Sequence, residues 1–145
     1  MNKKEILSIL VIFGGILIIF WGILHAIIIA EIRDELFTKS VSNEIISLIT
    51  LSYIGIVIMI SLNGFLVIIA VNTGLKRNDK LAFIYLLSQG ILFAIVSILL
   101  IVLQPKISVM GFSGDFILFL AIFTDVCISL LILIPIMILT KIKDK

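Results

Sequence analysis

Four long apolar stretches alternate with short polar segments along the chain. They run from about Ile6 to Ala30, Ile45 to Asn72, Leu81 to Leu103 and Phe116 to Thr140. Each exceeds the roughly 20 residues needed to cross a hydrocarbon core of about 30 Å, so each predicts a somewhat tilted transmembrane helix. Inside lipid a backbone must satisfy its own N–H and C=O groups, which leaves helix as the state for spans of this length. The predicted fold is all-α, an antiparallel four-transmembrane-helix bundle forming one domain over residues 1–145. Connections of about 8 to 14 residues suit up-and-down neighbours.

Residues at the boundaries agree with this division. Gly74 stands where a left-handed C-cap would close the second helix. Asn78 or Asp79 suits the start of the third helix, and Ser113 or Asp115 the start of the fourth. Pro105 follows the third span, while Pro135 falls inside the fourth and predicts a kink there. The basic start, Lys3-Lys4, would fit a signal peptide. The apolar run behind it, about 25 residues without an A-x-A site, is too long for a signal core of 7–15, so it predicts a permanent span. Glu31 to Phe37 has apolar residues at helical spacing, which would let the first helix continue or lie along the surface.

Charge gives the direction of insertion. The N-terminus, the Thr73–Lys80 connection and the C-terminus hold eight Lys and Arg, against three in the other two connections. All the connections are short, so the positive-inside rule predicts both termini in the cytoplasm of a cell-membrane protein. Composition adds the reason that no soluble reading competes. The chain is 62% hydrophobic and 14% charged, with a mean hydropathy of +1.39. A soluble domain carries about 25% charged residues to keep its surface wet.

Several chemistries fail on residue count. Cys127 is the single cysteine, so no internal disulfide or CxxC redox pair exists. One histidine and one cysteine cannot build a closed zinc site or a haem site with two axial histidines, and no cofactor or metal is expected. No serine stands in a G-x-S-x-G context. Gly111-Phe112-Ser113-Gly114-Asp115 has one residue too many for a G-x-G-D motif. No basic stripe interleaved with aromatics follows a phosphate backbone, so nucleic acid is not an expected partner.

What remains is one conspicuous polar residue per span: His25, Asn63, Gln89 and Asp125. Such side chains are costly in lipid and should face the bundle interior, each with a partner. At about 1.5 Å per residue, His25 and Asp125 lie roughly 10 and 5 Å to the outer side of the midplane. Asn63 and Gln89 lie roughly 7 and 5 Å to the inner side. In an up-and-down bundle the first helix neighbours the fourth and the second the third. Two hydrogen-bonded cross-links follow as expectations, His25 with Asp125 and Asn63 with Gln89. Tyr53, in the outer half of the second span, is placed to reach Asp125.

Helical phase predicts inward faces of Ser52, Gly55, Met59, Asn63, Leu66 and Ala70 on the second helix and Ala82, Tyr85, Gln89, Phe93 and Val96 on the third. Ala121, Asp125 and Ser129 form the corresponding stripe on the fourth. Gly22, Ala26 and Ala30 form a small-residue ridge that would pack on the fourth helix or on a second copy. The outer segment Ile107 to Phe112 is apolar enough to rest on headgroups.

The expected partners are the lipid bilayer and either a second copy or a larger membrane complex. The function these features favour is a non-enzymatic bundle, such as an accessory subunit of a membrane complex. The alternative is a small transporter, proton-coupled through a buried Asp125/His25 pair. A membrane enzyme using that pair as acid and base on a lipid or quinone is a third expectation.

Overall fold

The computed structural model describes residues 3–38, 41–75, 77–103 and 114–143. Four helices hold nearly all of them: α1 (Lys3–Thr38), α2 (Asn43–Ile69), α3 (Lys80–Leu103) and α4 (Gly114–Lys143). Each is long and apolar enough to cross a membrane. α1 does not stop where its apolar run ends; it continues through Glu31–Phe37 as one helix to Thr38. At its other limit α2 widens into a π-helical segment, Ala70–Leu75.

The helices alternate in direction. α1 packs against α2 on one side and α4 on the other, and α3 packs against α4. α2 meets α3 chiefly through the π-helical segment, and α2 and α4 sit diagonally. The core joins Leu7 and Ile18 of α1, Val67 and Leu75 from α2 and its π segment, Leu86 of α3 and Ile132 of α4. One end of the bundle, here the terminal end, gathers the start of α1, the α2–α3 turn and the finish of α4. There Lys4 Nζ donates to Asn78 Oδ1 at 3.0 Å. Toward the opposite, far end, α2 is covered on one side only: Leu48, Leu51 and Met59 are 66%, 68% and 71% exposed.

The close approach of α1 and α2 depends on glycine. A Cβ added to Gly64 would stand 2.6 Å from the Gly15 carbonyl oxygen and 2.9 Å from the Ile19 nitrogen. Both are backbone atoms that cannot swing aside. Further along, a Cβ on Gly22 would meet Ser61 and the Val57 carbonyl of the same helix, α2. The contact ridge of α1 is therefore Gly15 with Gly22, two turns apart. The ridge of Gly22, Ala26 and Ala30 does not pack against α4, one of its two expected partners: Gly22 faces α2, and Ala26 and Ala30 are exposed.

The α2–α3 turn also differs from expectation. Gly74 belongs to the π-helical segment and is not left-handed. It must be glycine because a Cβ there would run into the Cβ of Ala82. The left-handed residue is Asn78, with φ 55°, a conformation asparagine tolerates better than most residues. Asp79 closes the turn and opens α3. Its N–H donates to the Gly74 carbonyl at 2.9 Å, and its Oδ1 accepts from the Leu81 N–H at 2.9 Å. Pro135 is buried within α4, which continues through it. Pro105, Ser113 and the Ile107–Phe112 segment lie outside the described residues, as does the side chain of Asp115.

The inward face predicted for α2 is rotated. Gly64, Val67 and Val71 are buried, whereas Ser52, Gly55, Met59 and Leu66 are exposed. α2 is apolar all round, so Asn63 alone set the predicted phase, and Asn63 sits at the edge of the buried face. The faces of α3 and α4 are closer to expectation: Ala82 and Phe93 are buried, as are Asp125 and Ser129.

Candidate functional site

Two groups of polar side chains lie between the helices. The first links α2 and α3 in the half toward the terminal end. Asn63 Nδ2 donates to Gln89 Oε1 across the helices. Asn63 Oδ1 in turn accepts from the Tyr85 hydroxyl at 2.7 Å. Three half-buried side chains thus form one chain of hydrogen bonds, with Asn63 in the middle. Helical geometry places Tyr85 one turn from Gln89, so both project from α3 toward the same residue. The sequence placed Asn63 opposite Gln89 and the structure brings them together; it did not identify Tyr85 as the third member, although Tyr85 stands on the face predicted for α3.

The second group surrounds Asp125 on α4. Asp125 is 1% exposed, and its Oδ1 is buried without a hydrogen-bond partner. One turn along α4 toward the terminal end, Ser129 Oγ donates to the Gly90 carbonyl of α3 at 3.0 Å. Gly90 permits this approach: a Cβ there would lie 2.6 Å from Leu133 of α4. Ser97 on α3 is buried but directs its hydroxyl to its own helix, at the Phe93 carbonyl, 2.8 Å away. Neither serine is positioned by these bonds to partner Asp125.

The expected His25–Asp125 bond is absent. His25 Nδ1 donates to the Trp21 carbonyl one turn back on α1, at 2.9 Å, and its ring meets the Trp21 ring edge-on with centroids 4.9 Å apart. Register explains the failure. α1 touches α4 where Gly14 faces Ile132. Seven residues from there toward the far end reach Trp21 on α1 and Asp125 on α4. His25 lies one further turn along, about 6 Å beyond Asp125 along the axis. Tyr53 does not partner Asp125 either. It is half-buried on α2, the helix diagonal to α4.

The electrostatic situation of Asp125 is therefore unusual. The described lysines and arginines stand near the helix ends, and an isolated carboxylate in a low-dielectric interior is strongly disfavoured. Cys127 is half-buried and free, two residues along α4 and so on a different face from Asp125. Among the described residues no three His, Cys, Asp or Glu side chains gather in a way that would hold a metal ion.

Sequence reasoning also missed the Ser129–Gly90 link and the Gly15/Gly64 contact. Their signal was available: glycine is disfavoured inside helices, yet Gly15, Gly64 and Gly90 stand well within three of the spans. Comparison of the chain with protein-family models, with curated proteins and with solved structures finds no match in any of the three.

Proposed function

We propose that the chain is an integral membrane protein that crosses the cell membrane four times, with both termini cytoplasmic, and acts as a non-enzymatic bundle or accessory subunit of a membrane complex. The observation that carries this reading is the use made of the polar side chains. Asn63, Gln89, Tyr85 and Ser129 are engaged in bonds between helices, which is what a scaffold requires. Orientation is supported by the eight Lys and Arg at the ends and in the Thr73–Lys80 connection.

Co-purification from native membranes in mild detergent tests the reading. The 16.1 kDa chain is expected to elute in a larger assembly, with another membrane protein at a constant ratio through successive columns. Elution as a monomer, or as copies of itself alone, would remove the accessory-subunit role. A second reading, proton-coupled transport, is favoured by one observation, the unpartnered Oδ1 of Asp125.

A further inference from the structure

We propose that Asp125 is a proton-exchange site, taking up and releasing a proton from the far end of the bundle past His25. The inference deepens the transport reading and does not depend on the scaffold reading. It begins with satisfaction of hydrogen bonds. Buried carboxyls that serve as structural glue accept bonds from nearby donors, as buried polar groups generally do. The hydroxyl donors nearest to Asp125 along α4 and α3 are committed elsewhere: Thr124 to the Leu120 carbonyl, Ser129 to the Gly90 carbonyl and Ser97 to the Phe93 carbonyl. Asp125 Oδ1 is left buried and free to carry a proton.

The titratable groups on the helices around Asp125 narrow the route. From α3 the titratable side chain is Tyr85, which lies on the terminal-end side of Gly90 and donates to Asn63. That places it about 13 Å from the level of Asp125 along the axis. From α4 itself, Cys127 is on another face. α2 lies diagonally across the bundle. From α1 the titratable side chain is His25, half-buried and one turn nearer the far end than Asp125. Its Nδ1–H is held by the Trp21 carbonyl, so Nε2 is the nitrogen left for exchange. The transfer is simple: a proton from water protonates Nε2, the imidazolium gives it up through bridging water to a carboxylate oxygen of Asp125, and the neutral imidazole returns. Release reverses these steps.

Infrared difference spectra of the protein in lipid vesicles, recorded after a pH jump, test the proposal. The expected result is a carboxyl band and a carboxylate band that change in opposite senses, both lost in Asp125→Asn. A shifted pair in Asp125→Glu checks that the loss is not a folding defect. His25→Leu is expected to slow the change about tenfold or more. Bands that do not respond to pH in the wild-type protein would overturn the site, and an unaltered rate in His25→Leu would overturn the route. Proton flux into the same vesicles separates site from transport: exchange at Asp125 without flux would leave the site standing and remove the transport reading.

Discussion

Gly64→Ala is expected to destabilise the protein by about 2 kcal/mol, within the range for forcing extra volume into a packed contact. The reason is specific. The new Cβ would stand 2.6 Å from the Gly15 carbonyl oxygen, 2.6 Å from Ile19 Cγ1 and 2.9 Å from the Ile19 nitrogen. The Ile19 side chain can turn away, but the two backbone atoms cannot, so α1 and α2 must separate. That separation would loosen the contacts on either side of it, where a Cβ on Gly15 would touch Val67 and Ile68 and one on Gly22 would meet Ser61. Gly55→Ala is the matched control. It lies on the same helix with nothing within 4 Å of a Cβ, and replacing helical glycine by alanine stabilises by roughly 0.5–1 kcal/mol. Unfolding titrations of the two variants in mixed detergent should therefore shift in opposite directions. Two shifts of the same sign would contradict the α1–α2 contact.

Asn63→Leu should have the next largest effect, a loss of about 1–2 kcal/mol. Hydrogen bonds between membrane helices average about 0.6 kcal/mol, with a maximum near 1.7, and Asn63 makes two of them. Its amide nitrogen serves Gln89, and its oxygen serves the Tyr85 hydroxyl. Leucine removes both and leaves the Gln89 carbonyl half-buried without this bond, which adds a desolvation cost, while the Tyr85 hydroxyl keeps only its longer bond, 3.4 Å, to the backbone carbonyl of residue 63. Adding Gln89→Leu to Asn63→Leu should cost less than Gln89→Leu costs alone, because the group left unsatisfied is then gone. A double-mutant cycle read in the same unfolding titration checks this. Strict additivity would mean that the amides do not meet.

These two sites show what so apolar a sequence reveals and what it hides. Asn63 and Gln89 were legible because two amides stood at similar depths on consecutive spans, and depth is set simply by counting residues. His25 and Asp125 also stand on neighbouring helices, but their depths differ by about a turn. The Trp21 carbonyl, one turn back on the same helix, offered His25 a local partner that no side-chain inventory contains. Helix existence was legible for the same reason as depth, since length and hydropathy suffice.

Rotation about the helix axis was far less so. In water an amphipathic stripe fixes which face turns inward, whereas lipid is as apolar as the core and leaves no such stripe. α2 illustrates the consequence: the face centred on Met59 was read as interior, and Met59 is 71% exposed. The information that does fix rotation lies in small residues, Gly15 and Gly22 against Gly64 and Ser61, where backbones touch. On α4 the same rule worked, because Asp125 and Ser129 are separated by four residues and both turn inward.

Four crossings with both ends in the cytoplasm are the central expectation. Single cysteines in a Cys127→Ser background, probed with a thiol reagent that cannot cross membranes, test this most directly. Lys3→Cys and Arg77→Cys stand at the terminal end, and Ser42→Cys stands in the α1–α2 connection at the far end. In intact cells labelling of Ser42→Cys alone is expected, with Lys3→Cys and Arg77→Cys labelled only after permeabilisation. Labelling of Arg77→Cys in intact cells, or protection of Ser42→Cys, would contradict it.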